Sequence, residues 1–183
     1  MKIIVTEFDN LFILEPKVIE DERGYFMESY SQKTLEESGI ETDFVQDNQS
    51  RSKKGVLRGL HFQNAPYAQT KLVRVLSGSI LDIVVDLRRN KSTFGIHFRL
   101  ELSADNKRQL LVPKGFAHGF LVLSEYAEVF YKTDEFYNRE ADGGINFNDP
   151  SLGLSDILLG ENLTLSEKDK KLPLLSEANF NFN

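Results

Sequence analysis

Three histidines, His61, His97 and His118, are the side chains of this protein best suited to moving protons near neutral pH. His61 stands in Gly55-Val56-Leu57-Arg58-Gly59-Leu60-His61-Phe62-Gln63. On a strand, Gly59, His61 and Gln63 would share one face, and Arg58, Leu60 and Phe62 the other. Glycine beside a strand-borne imidazole leaves room for a ligand. The plainer alternative is a core histidine satisfied by a neighbour. As a general base, His61 would need a carboxylate on its other ring nitrogen. Asp82, Asp86 and Asp169 are the candidates, and chain spacing does not choose among them. A zinc or iron site would take two or three histidines with a carboxylate. No two histidines here are close in sequence, so a use of imidazole without a metal is expected.

Arg23, Arg58, Lys71 and Arg74 sit among apolar residues, not in charge runs. Arginine in such places pairs with a carboxylate or a phosphate through its planar fork. Phosphate binding and an internal ion pair, for instance to Glu28, stand on equal terms. Gln46-Asp47-Asn48-Gln49-Ser50 could read the amide edges of a pyrimidine-like base. Taken alone the run reads as a polar loop. Tyr131 and Tyr137 flank a polar turn; either could donate a proton, stack on a base or fill the core, and core packing is the expectation for an isolated tyrosine. Asp169 closes Ser166-Glu167-Lys168-Asp169, which has the form of a capping box, so a helix cap suits it as well as a catalytic pair does.

The elements that must position these groups are mostly strands. Ile80 to Leu87 alternates with period two, Ile80, Asp82, Val84 and Asp86 on one face and Leu81, Ile83, Val85 and Leu87 on the other, which predicts a half-buried strand. Lys71 to Leu76 is β-branched and runs into Ser77-Gly78-Ser79, a hairpin-type turn. His97–Leu102, Gln109–Val112, Gly119–Leu123 and Glu128–Lys132 read as further short strands, punctuated by Asp105-Asn106 and Pro113-Lys114-Gly115. Helix signals are confined to the ends: Ser31 to Ser38, stopped by Gly39, and a turn opening at Ser166 before Pro173. The pattern predicts an all-β protein, an antiparallel barrel or a jelly-roll sandwich with a few short helices near its termini.

Composition narrows the functions. A length of 183 residues suits one domain, residues 1–183. With 28 acidic and 22 basic residues the formal net charge is -6, which argues against sequence-independent nucleic-acid binding. An anionic ligand must then be held by a local cluster of Arg and Lys. Cysteine is absent, so disulfides, thiolate metal sites and a cysteine nucleophile are excluded. No apolar run approaches the ~18 residues of a membrane span, and the start of the chain lacks the apolar stretch of a signal peptide. The expectation is a cytoplasmic protein without a membrane partner.

The motifs, taken in order, carry more than each does alone. They are Asp21-Glu22-Arg23-Gly24-Tyr25-Phe26-Met27-Glu28, Phe44 to Ser50, Gly55 to Gln63, Lys71-Leu72-Val73-Arg74-Val75, Pro113-Lys114-Gly115-Phe116-Ala117-His118-Gly119-Phe120, and Ser166 to Asp169. From about residue 10 to about 175 the chain resembles the dTDP-4-dehydrorhamnose 3,5-epimerase family, cupin-type enzymes that work without metal or other cofactor. The resemblance implies a dTDP-linked 4-keto-6-deoxyhexose as substrate, with the C4 ketone acidifying the protons at C3 and C5. By matching positions, His61 resembles the general base, Asp169 the carboxylate of its pair, Lys71 the cation beside the C4 oxygen, and Tyr131 the proton donor on the other face. Arg23, Glu28, Gln46, Asn48, Arg58, His118, Asp142 and Lys168 match positions that contact nucleotide, diphosphate or sugar. The family's members are strand-exchanging homodimers, so some of these residues would serve the neighbouring subunit's site.

Two departures bear on the match. Asp142 stands where some relatives have Glu. Ser151-Leu152-Gly153-Leu154-Ser155-Asp156 lacks an expected tryptophan–proline pairing, which predicts altered packing after Pro150 and leaves the catalytic assignment standing. The competing readings are an enzyme that epimerises C3 or C5 only or isomerises the ketone, a non-catalytic barrel that binds a nucleotide sugar, and an iron-dependent cupin oxygenase.

Overall fold

The protein is described here by a computed structural model that covers residues 1–158 and 163–183. In chain order it forms β1 (Lys2–Val5), β2 (Phe12–Glu15), β3 (Val18–Asp21), β4 (Gly24–Met27), α1 (Gln32–Glu37), β5 (Gln46–Lys53), β6 (Leu57–Gln63) and β7 (Lys71–Ser77). There follow β8 (Ser79–Asp86), β9 (His97–Ser103), β10 (Gln109–Val112), β11 (Phe116–Val122), β12 (Tyr126–Thr133), β13 (Asp142–Gly144) and α2 (Ser155–Leu158). Short 3₁₀ turns cover Pro150–Leu152 and Asp169–Lys171.

Two antiparallel sheets face each other. One has the order β1-β2-β10-β7-β12-β5 and the other β13-β6-β11-β8-β9, with β3–β4 as a separate hairpin. Alternate side chains of each strand point to one face, and the inward rows meet between the sheets. Val73, Val75 and Val129 come from the first sheet; Ile80, Val84, Leu102, Phe120 and Val122 come from the second. Burying each such side chain contributes about 1.5–3 kcal/mol. This is an all-β jelly roll of cupin type.

β8 is more buried than its alternation predicts. Its odd residues Ile83 and Val85 join Leu57, Leu60 and Phe62 of β6 in a second core on the outer face of the sheet. The tail of the chain closes over that face with Leu152, Leu154, Phe180 and Phe182. The Phe180 ring meets Phe62 edge-on at 6.1 Å. Polar outward residues are what make a strand read as half-buried, and here Asp82 and Asp86 lie on the inward row instead.

Ser77-Gly78-Ser79 is a corner, not a hairpin. It carries the chain from β7 in one sheet to β8 in the other. Gly78 takes φ +75°, and a Cβ there would lie 2.0 Å from the Tyr126 carbonyl oxygen, so only glycine fits. The polar run from Gln46 is an edge strand, β5, and not a loop; it pairs with β12 along its whole length. Its inward residues Asn48 and Ser50 line a cavity rather than a core, which is why the run lacks an apolar face. Helix α1 has the expected ends: the Ser31 hydroxyl accepts from the Thr34 N–H, and Gly39 adopts a left-handed φ of +77°. After Pro150, the Asp149 carboxylate accepts from the N–H of Ser151 and of Leu175. That cap ties the segment to the tail without tryptophan.

Candidate active site

Within the inward rows, polar side chains interrupt the apolar ones and surround a cavity of about 620 Å³. Lys71 lies on the row of Val73 and Val75, Tyr131 on that of Val129, and His118 on that of Phe120 and Val122. Asn48, Arg58, His61, Lys168 and Asp169 complete the part of the wall that the sequence singles out.

Arg58 and His61 break the strict alternation expected of β6. His118 pairs with His61 and Phe120 with Arg58, so three steps on β6 match two on β11. This is a bulge, and it turns both side chains to the cavity. Gly59 sits in it with φ +118°, where a Cβ would lie 2.6 Å from the Cα of Gly119.

Asp169 is the carboxylate that meets His61. Its Oδ1 lies 2.7 Å from His61 Nε2, and the residue is 3% exposed. The chain before it is pinned to the barrel: Thr164 donates its N–H to the Gly55 carbonyl and accepts from the Leu57 N–H. Only half of the capping box forms. The Asp169 N–H donates to the Ser166 hydroxyl at 3.1 Å, while the Asp169 side chain turns to the imidazole. Burial drives the Asp169 carboxyl upward, but the hydrogen bond and charge of His61, with the Ser166 hydroxyl and the Gly59 N–H, outweigh it and hold the group below its ordinary value.

The other two aspartates serve elsewhere. Asp82 Oδ1 lies 2.7 Å from His118 Nε2, and Asp86 accepts from Arg88 and Thr93. His97 is apart from the cavity, its Nδ1 donating to the Leu152 carbonyl. Among the described residues no three His, Asp or Glu side chains gather as a metal ion would require.

Burial pushes the Lys71 ammonium down to about 8, against the pull of Asp82 and Asp142. Burial also pushes the Tyr131 phenol up, and Arg58 acts against it. Tyr131 therefore keeps its proton through the neutral range. His61 belongs to one sheet and Tyr131 and Lys71 to the opposing one. A flat substrate between the sheets would meet a base on one side, and a phenol and a cation on the other.

The remaining expected residues lie at the rim or away from it. Asp142 forms an ion pair with Lys168 and accepts from the Tyr137 hydroxyl at 3.2 Å. Gln46 donates to the Asn48 side chain. Arg23 pairs with Asp21 at 2.5 Å, not with Glu28, and its side chain is 86% exposed. Neither Arg23 nor Glu28 lines the cavity of its own chain. Arg74, one step out of the inward row, points away from Lys71. Sequence reasoning gave no place to Thr164 and Leu165, which also line the cavity; no residue type marks them, and only the bond pattern to Gly55 and Leu57 brings them there.

A cupin-type barrel with a histidine–aspartate pair, a half-buried lysine and a half-buried tyrosine around one cavity is an acid–base enzyme of the sugar-isomerase kind. The chain belongs to the dTDP-4-dehydrorhamnose 3,5-epimerase family, whose model matches residues 5–177. It is 52% identical over 170 residues to the dTDP-4-dehydrorhamnose 3,5-epimerase of Shigella flexneri, covering 92% of this chain and 93% of that protein. The crystal structure of the same-named enzyme from Elizabethkingia anophelis superposes with a TM-score of 0.92 at 49% identity, over 98% of this chain and 99% of that one. A dTDP-6-deoxy-D-glucose-3,5-epimerase from Legionella pneumophila, solved in complex with dTDP-4-keto-L-rhamnose, gives 0.91 at 50% identity, over 96% and 93%.

Proposed function

We propose that this chain, as one cytoplasmic domain spanning residues 1–183, epimerises C3 and C5 of dTDP-4-dehydro-6-deoxy-D-glucose to give dTDP-4-dehydro-L-rhamnose. The observation that carries the reading is the approach of His61 and Tyr131 to one cavity from opposing sheets. His61 removes a proton from carbon beside the C4 ketone. The electron pair moves to O4, and the Lys71 ammonium stabilises the enolate. Tyr131 then delivers a proton to the other face of the same carbon, inverting it; before the next turn the phenol takes a proton from solvent and His61 releases the one it abstracted. Asp169 orients the imidazole throughout. The scheme calls on neither a metal nor a redox cofactor, because the ketone already acidifies both C–H bonds.

Asn48, Arg58, His118 and Lys168 hold the nucleotide, diphosphate and sugar, with Gln46 and Asp142 at the rim. Arg23 and Glu28 belong to a second copy's site in a homodimer. Their place on and after the β3–β4 hairpin, outside both sheets, supports this. So does the exposure of Ile19, Tyr25 and Phe26 on the same hairpin. Sedimentation should give twice the chain mass. Mixing the inactive variants Arg23→Ala and His61→Asn should then restore activity in heterodimers.

The reaction run in deuterated water tests the chemistry. Label should enter at both C3 and C5. Label at one carbon would demote the enzyme to a mono-epimerase, and no label would overturn the reading.

A further inference from the structure

His118 lines the cavity and is backed by a second carboxylate, Asp82, that the scheme above leaves unused. His118 on β11 and Asp82 on β8 are both buried, with side-chain exposures of 8% and 0%. Their contact, His118 Nε2 to Asp82 Oδ1 at 2.7 Å, is as short as that of His61 with Asp169. A carboxylate only accepts, so His118 must carry a proton on Nε2. Nδ1 is then the ring nitrogen left to meet a ligand.

The second oxygen of Asp82 is the unusual atom. Among the described residues Oδ2 is the one buried side-chain oxygen or nitrogen with no hydrogen-bond partner. An unpaired buried oxygen costs free energy unless charge nearby compensates. The charged and titratable side chains around the cavity are Arg58, His61, Lys71, His118, Tyr131 and Asp169, with the Lys168–Asp142 pair at its edge. Asp169 is engaged by His61, and Asp142 by Lys168 and Tyr137. Asp82 is therefore the carboxylate with capacity to spare, and Lys71 is a cation of the cavity wall that no hydrogen bond to a carboxylate satisfies among the described residues.

We propose that Asp82 is a positioning residue of the reaction: Oδ1 holds His118 in its Nε2–H form with Nδ1 toward the sugar nucleotide, and Oδ2 supplies the negative charge that holds the Lys71 ammonium beside the enolate. The inference rests on the epimerase reading. Burial works against the Lys71 ammonium, and Asp82 is the first of the two carboxylates that oppose it.

Asp82→Asn keeps the shape and an acceptor for His118 but removes the charge. Lys71 should then lose its proton at lower pH, moving the alkaline limb of kcat/KM down by about one unit. At pH 7.5 kcat should fall about threefold, with KM within about twofold. A purely structural role would lower activity evenly across pH, and an unmoved limb overturns the inference. Solvent-deuterium exchange by the unaltered enzyme is measured first. Its absence overturns the epimerase reading and this inference with it, whereas normal exchange with an unmoved limb in the variant overturns the inference alone. Nitrogen-15 NMR of the unaltered enzyme covers a variant that does not fold. The His118 ring should carry a strongly hydrogen-bonded proton on Nε2, and a bare Nε2 with the proton on Nδ1 overturns the proposal.

Discussion

Arg58 and His61, three residues apart on β6, face the same cavity because the strand bulges between them. Their partners on β11, Phe120 and His118, are only two residues apart. A regular strand would have sent the guanidinium to the outer core, among Leu60 and Phe62. The bulge places a guanidinium and an imidazole side by side on one wall of the cavity. Arg58 also donates to the Ser52 hydroxyl at 3.0 Å, which holds it on that side.

Gly59→Ala tests the bulge. The new Cβ would lie 2.6 Å from the Gly119 backbone at a φ of +118°. Backbone strain alone costs about 1–3 kcal/mol, and each kcal/mol lowers Tm by about 2–4 °C in a chain of this size. Thermal unfolding should show the drop together with loss of activity. A Tm within about one degree of the unaltered protein would contradict the assignment.

His61→Asn should slow exchange of the C3 and C5 protons about 10²–10⁴-fold, the usual contribution of a general base. Binding of dTDP, followed by calorimetry, should change little. Unaltered exchange in this variant would remove His61 from its role.

Tyr131→Phe should separate exchange from inversion. His61 can still remove a proton and return one from the same side, so deuterium enters substrate that keeps its configuration. Epimer formation should fall about 10²-fold or more. Equal losses of exchange and inversion would mean that Tyr131 does not act as the acid.

The alkaline limb of the pH–rate profile should belong to Lys71. Burial brings its pKa down to about 8, while the same cause drives the Tyr131 phenol upward, beyond that range. Activity should therefore fall as pH rises through about 8. Lys71→Met should be slow at every pH and lack the limb. A limb retained in that variant would assign it to another group.

Asp169 should link stability to pH on the acid side. Its folded value is lowered, so the pair with His61 stabilises the fold above the ordinary carboxylate range of about 4. That contribution is lost as pH falls through the lowered value. Urea unfolding of the unaltered protein and of Asp169→Asn should converge on acidification. A constant gap between them from pH 6 to about pH 2 would contradict this sign.

The strands that follow period two were legible, because a half-apolar strand needs only its own residues to declare its faces. β10 matches the expected Gln109–Val112, while β11 and β12 extend two or three residues beyond the expected starts. β5 was not legible, since a strand that lines a cavity carries polar residues on its inward row. The corner at Gly78 read as a hairpin because a tight turn has the same residues whether the next strand stays in the sheet or leaves it.

The chemical inventory was determined by the sequence alone: three imidazoles, no thiol, cations set among apolar residues, and motifs in the order of one family. Which aspartate serves which histidine was decided only in three dimensions. His61 takes its partner from 108 residues away and His118 from 36. A hydrogen bond responds to a distance of about 3 Å, and that distance exists only once ladder register, one bulge and the closing C-terminal segment have set it.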